Sequence, residues 1–153
     1  MAKVLLVNPH WGALFSGKVR RYNRRFPPLS LLNCAALLRG AGVAVAVVDG
    51  RARPDALEQI EHDYDWCFFT LSPLDRWQCP NTDLDHVDTV LESFPKDRLI
   101  PMGAQPTSYP ELLLTRTGAA GVIMGEPETT VMAIVAGAAP GVAPGTAAMV
   151  NGE

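Results

Sequence analysis

Five short apolar runs set the tightest constraint on this chain: Lys3 to Val7, Val43 to Val48, Trp66 to Leu71, Arg98 to Met102 and Gly121 to Met124, most of them ending at a Gly, Pro or Asp-Gly turn. They do not alternate apolar with polar residues. A strand with one face in water does alternate, so continuous runs mark strands buried on both faces, as in a parallel sheet covered by helices. The segments between them supply the helices. Pro27 and Pro28 open one where a missing N–H costs little, Gly40 and Gly42 close it, and Leu29, Leu32, Ala36 and Leu37 recur at helical spacing. Pro54 to His62 reads as a short helix with Leu57 and Ile60 inward. Asn81 to Phe94 reads as a longer one, with Leu84, Val87, Val90, Leu91 and Phe94 on one side. Tyr109 to Thr117 and Pro127 to Ala136 complete the set.

This alternation predicts an α/β fold: a flavodoxin-like or Rossmann-like three-layer sandwich whose five-stranded parallel sheet runs in the order 2-1-3-4-5. Residues 1–137 form the domain. Residues 138–153, rich in Ala, Pro and Gly without periodicity, read as a linker, with Thr146 to Glu153 as a short hairpin arm ending at Asn151-Gly152. A length of 153 residues with 48% apolar content suffices for one core. A formal charge of −3 argues against non-specific nucleic-acid binding, which depends on excess Lys and Arg. The apolar runs fall short of the roughly 18 residues that span a bilayer, and the chain opens on a strand rather than a signal sequence, so neither membrane nor nucleic acid is an expected partner and the expected location is cytoplasmic. Cys34, Cys67 and Cys79 form neither an even set nor a CxxC pair, which fits a reducing compartment. Cys34 and Cys67 fall in apolar elements and read as buried, inert thiols; Cys79 reads as a loop thiol.

In an open parallel sheet, ligands bind beyond the carboxyl ends of the strands, near the reversal of strand order. Four loops therefore matter here: Asn8-Pro9-His10-Trp11-Gly12, Ser72-Pro73-Leu74-Asp75-Arg76-Trp77, Gly103-Ala104-Gln105-Pro106 and Gly125-Glu126-Pro127-Glu128. Their small residues let a wide, flat ligand approach the backbone, and their amide, hydroxyl and carboxylate groups can bond its rim.

Asn8-Pro9, Pro27-Pro28-Leu29, Thr70-Leu71-Ser72, Gly103-Ala104 and Gly125-Glu126 occur in the order and spacing of one known family. The chain resembles the N-terminal cobalamin-binding domain of cobalamin-dependent radical S-adenosylmethionine enzymes, over nearly its whole length. Ala104 stands where that family usually has a second Gly, and Pro127 where another Gly often lies. The resemblance implies cobalamin as cofactor, with Asn8, Pro9, His10, Thr70, Leu71, Ser72, Pro73, Leu74, Arg76, Gly103, Ala104, Gln105, Gly125, Glu126 and Pro127 around it. It also implies a partner: a radical S-adenosylmethionine domain, on the same or a separate chain, carrying S-adenosylmethionine and a [4Fe-4S] cluster. That cluster needs a CxxxCxxC motif, for which Cys34, Cys67 and Cys79 are too widely spaced. By itself the chain is then no enzyme but the cofactor-binding part of one. Its implied chemistry is methylation at an unactivated carbon or phosphorus with methylcobalamin as methyl carrier, ring contraction or cyclisation being the minority outcome.

Two readings stand for His10. Methionine-synthase-like cobalamin domains place a DxHxxG loop after the first strand, whose His ligates cobalt from below. Here Asn8 replaces the Asp that would orient the imidazole and Gly12 comes one residue early, so His10 is either a lower cobalt ligand or a loop residue beside the corrin. Arg76 likewise either covers the lower face, where a protonated guanidinium cannot ligate, or pairs with a carboxylate such as Asp75. Lys18, Arg20, Arg21, Arg24 and Arg25 read as a solvated or docking surface, with contact to the phosphodiester of the cobalamin tail as the alternative.

The near P-loop from Gly12 to Lys18 has Val19 where the pattern needs Ser or Thr to hold magnesium, and no helix follows at once. Neither a flavodoxin phosphate loop nor the acidic set of a receiver domain is present. The rival of a different class is a cofactor-free scaffold, kept open by Ala104 and Pro127.

Overall fold

Strand β1 (Lys3–Asn8) lies inside the sheet with a parallel partner on each side. The computed structural model describes residues 1–9, 27–71, 88 and 90–149. β2 (Ala44–Asp49) pairs along one edge of β1, from Lys3 opposite Ala44 to Asn8 opposite Asp49. β3 (Trp66–Thr70) pairs along the other, from Val4 opposite Trp66 to Val7 opposite Phe69. β4 (Leu99–Met102) follows β3, and β5 (Val122–Ile123) follows β4. The expected parallel order 2-1-3-4-5 is therefore observed, and it is extended by a two-residue antiparallel strand, β6 (Thr146–Ala147), on the outer edge of β5.

Successive side chains of a strand point to opposite faces, so each apolar run feeds two cores. Val4, Leu6, Phe68, Ile100, Met102 and Ile123 pack on one face beneath Leu31, Cys34, Ala35 and Leu38 of α1 (Leu29–Gly40). Val131 and Ile134 of α4 (Glu128–Val135) complete that layer. Leu5, Val7, Cys67, Phe69, Leu99 and Val122 pack on the other face against Leu91, Phe94 and Leu113, Leu114 of α3 (Pro110–Thr117). Phe69 meets Phe94 edge-on, with ring centroids 5.5 Å apart. Burial on both faces is why these strands lack polar alternation.

α1 turns a different face inward from the one its Leu29, Leu32, Ala36 and Leu37 spacing suggests. Leu31, Cys34, Ala35 and Leu38 are buried, whereas Leu29, Leu32 and Leu37 are exposed. Cys34 and Ala35 are small, which lets α1 lie close to the sheet and to α4. Pro54 begins only a 3₁₀ turn to Leu57, short of the helix expected to reach His62, and a one-turn helix, α2 (Ala104–Ser108), follows β4 directly. Of the helix expected over 81–94, the described residues are 88 and 90–94, with Asp88, Val90 and Leu91 helical.

The Ala/Pro/Gly stretch after residue 137 folds back on the sheet as far as it is described. Ala143 is buried, Met124 donates its N–H to the Gly145 carbonyl at 2.7 Å, and the Thr130 hydroxyl donates to the Pro144 carbonyl at 2.6 Å. Gly121 makes this contact possible, because a Cβ there would come within 2.8 Å of the Pro140 Cβ. Asn151 and Gly152 lie outside the described residues.

The inward face of α1 gives a direct test. Leu31→Ala and Leu38→Ala are each expected to cost about 2–5 kcal/mol in urea unfolding. Leu32→Ala and Leu37→Ala, at exposed positions, should cost less than about 1 kcal/mol; equal costs would contradict the packing.

Candidate functional site

The sheet order reverses at β1, whose chain neighbour β2 lies on one side while β3 and its successors lie on the other. Helices on opposite faces leave a crevice at the carboxyl ends of strands around such a point. Asn8 and Thr70, at the ends of β1 and β3, are both 5% exposed, and Pro9 is buried behind Asn8. The Asn8 side-chain amide donates to Asp49 Oδ1 at 2.8 Å, and the same oxygen accepts the Arg51 N–H at 3.0 Å. The Gly50 N–H donates to the Asn8 carbonyl at 2.8 Å. The first two strand ends are thereby locked together through both side chain and backbone.

Leu71 donates its N–H to the Met102 carbonyl at 2.8 Å, and Gln105 donates its N–H to the Leu71 carbonyl at 3.2 Å. These bonds tie the loop after β3 to the loop after β4. The Leu71 side chain itself belongs to the core beside Val7 and Phe69, which leaves its backbone for the rim. Gly103 has φ +108°, a left-handed conformation that glycine adopts without strain, and this turn sends the chain into α2 with Ala104 half-buried and Gln105 buried. Gly125, at φ +78°, is exposed, and no described atom lies within 4 Å of where its Cβ would stand. Glu126 is exposed beside it, while Pro127 is buried at the start of α4.

The described part of the sequence-predicted site is therefore one continuous edge: Asn8, Pro9, Thr70, Leu71, Gly103, Ala104, Gln105, Gly125, Glu126 and Pro127. His10, Ser72, Pro73, Leu74 and Arg76 lie outside the described residues, as do the near P-loop from Gly12 to Val19, the basic run from Lys18 to Arg25, and Cys79. Among the described residues no group of three or more His, Cys, Asp or Glu side chains could hold a metal ion, and no helix is long and apolar enough to cross a membrane.

Three residues of the edge escaped the sequence reading. Asp49 carries the Asn8 amide, and its position at the Asp-Gly end of β2 was the available signal. Asn33 of α1 donates to Glu128 Oε1 of α4 at 3.4 Å, joining the two helices. Thr107 of α2 accepts the Gly125 N–H at 2.8 Å and donates to the Gly103 carbonyl at 2.7 Å.

Neither described cysteine is poised for chemistry. Burial, and then the Glu128 carboxylate, push the Cys34 thiol up to about 12, and burial alone pushes Cys67 up as well. Both are free thiols held in the neutral form, which is the unreactive one.

No protein-family model matches the sequence, and no curated protein does. Solved structures do. The chain superposes over 99% of its length on TsrM from Kitasatospora setae, a radical S-adenosylmethionine methyltransferase with tryptophan substrate and a SAM analog bound, at a TM-score of 0.70 and 20% identity. It superposes over 98% on TsrM with cobalamin and a [4Fe-4S] cluster bound, at 0.69 and 20% identity. It also matches OxsB, a cobalamin-dependent S-adenosylmethionine radical enzyme with aqua-cobalamin and S-adenosylmethionine bound, over 88% of the chain at 0.58 and 14% identity. The chain spans 29%, 27% and 18% of those proteins' chains respectively. At such identities the likeness is one of fold, and it runs through almost every described element.

Asn8→Leu removes a hydrogen bond to a carboxylate, and a loss of about 1–3 kcal/mol is expected in urea unfolding. Asp49→Asn keeps an oxygen acceptor for Asn8 and should cost less. In the native protein Cys34 and Cys67 should react with a thiol reagent at pH 8 only as fast as the chain opens, a rate read from labelling with and without denaturant.

Proposed function

We propose that this chain is a cobalamin-binding module acting with a radical S-adenosylmethionine domain. The observation that carries the proposal is the carboxyl edge of the sheet, where β1 and β3 end in the buried amide and hydroxyl groups of Asn8 and Thr70, and β4 and β5 end in Gly103 and Gly125, the latter with open space where a Cβ would stand. A corrin is broad, flat and rimmed with amides, so these residues fit it: backbone can approach its plane, and polar groups can meet its edge. The fold likeness to proteins solved with cobalamin adds support.

Under this reading Asn8, Pro9, Thr70, Leu71, Gly103, Ala104, Gln105, Gly125, Glu126 and Pro127 hold one side of the corrin, and Ser72, Pro73, Leu74 and Arg76 belong to the same bed. Asn8 is fixed by Asp49, so its remaining oxygen is presented in one orientation. Ala104, which stands where the resembled family usually has a second Gly, is half-buried as the first residue of α2. Bound cobalamin supplies cobalt chemistry, the carriage of a methyl group between donor and acceptor. The chain's own contribution is orientation and shelter of one corrin face. The methyl acceptor, and the residues that would hold it, fall to the partner domain.

The test is an absorption spectrum of the 153-residue chain after incubation with hydroxocobalamin and desalting. Retained corrin bands are expected. A folded, colourless protein would overturn the reading and favour a scaffold without cofactor. Two further proposals, that His10 ligates cobalt from below and that Arg76 merely covers that face, are separated by the same spectrum: His10→Ala shifts the bands only if His10 is a ligand.

A further inference from the structure

β4 and β5 are the weakest link in the parallel sheet, for a reason written into β4. The Met102 carbonyl accepts from Leu71 on the β3 side, while the Leu99 carbonyl accepts the Ala120 N–H on the β5 side. Backbone groups alternate between the two neighbours of a strand, so Pro101, like Leu99, faces β5, where it has no N–H to give. The pairing of β4 with β5 shrinks to a single couple, Met102 opposite Ile123. Beyond it the chains enter the Gly103 and Gly125 turns, at φ +108° and +78°.

A side chain makes the connection there. The Thr107 hydroxyl donates to the Gly103 carbonyl at 2.7 Å and accepts the Gly125 N–H at 2.8 Å, while the Thr107 backbone N–H reaches the same Gly103 carbonyl at 3.1 Å. With its proton committed to Gly103, the hydroxyl turns a lone pair to Gly125. We propose that Thr107 is a positioning residue, setting the spacing between the β4 and β5 turns on which the ligand lies; this rests on the corrin-binding reading above. Thr107 and Gly125 are both exposed, so water can replace the lost bond when the hydroxyl is removed. Overall stability then changes little, while the turns gain freedom that binding must remove.

Thr107→Val and Thr107→Ala abolish the bridge, and Thr107→Ser keeps it. The measurements are hydroxocobalamin affinity by titration, exchange of the Gly125 amide by NMR, and melting temperature, all on the full chain. Removing the hydroxyl should weaken hydroxocobalamin binding about tenfold, speed Gly125 exchange at least about tenfold and leave melting within a few degrees. Thr107→Ser should match the unmodified chain in all three. Unchanged affinity and exchange in Thr107→Val and Thr107→Ala would overturn the proposal, as would a loss that Thr107→Ser fails to rescue. If the unmodified chain retains no corrin, the cofactor reading falls and takes Thr107's role toward a ligand with it. The exchange comparison would still decide separately whether Thr107 holds the two turns.

Discussion

Everything in this structure hangs on the parallel ladders on the two sides of β1. Because β2 occupies one side and β3 the other, consecutive crossovers leave in opposite directions, and helices come to cover both faces. Burial on both faces requires apolar residues at successive positions, as in Val4 to Val7 and Cys67 to Phe69. The same reversal opens the crevice at the carboxyl ends, and there the chain stops being apolar: Asn8, Asp49 and Thr70 are the polar side chains that end the apolar runs of the first three strands.

The edge is held unevenly. From β2 to β4 the strand ends are joined by backbone bonds and by the Asn8 to Asp49 contact, so that part of the bed is fixed by the sheet itself. Between β4 and β5, Pro101 removes a ladder donor, and the Met102–Ile123 couple and the Ala120 to Leu99 bond are supplemented at the turns by a single threonine hydroxyl.

The strands and their order were legible because runs rich in Val, Leu, Ile and Phe bounded by Gly and Pro have few other destinations. The face of α1 was not. With leucines at 29, 31, 32, 37 and 38, apolar spacing defines no unique stripe, and the small residues Cys34 and Ala35, which permit close packing, decide the matter. β6 was legible only as a hairpin arm: Thr146 suits a strand, but its place on the edge of β5 depends on Gly121 leaving room for Pro140 and the Ala147 carbonyl. The glycines of the site announced themselves as turns. Asp49 and Thr107 did not, since each acts on a residue distant in sequence and is brought there only by strand register and by α2.

The central claim is that the carboxyl edge of the sheet is the ligand bed, and amide hydrogen exchange of the full chain with and without hydroxocobalamin tests it most directly. The account predicts slower exchange over residues 103–107 and 124–127 on addition of hydroxocobalamin, with no change at the opposite edge over 63–66 and 95–98. Protection at that opposite edge, or no protection anywhere, would contradict it.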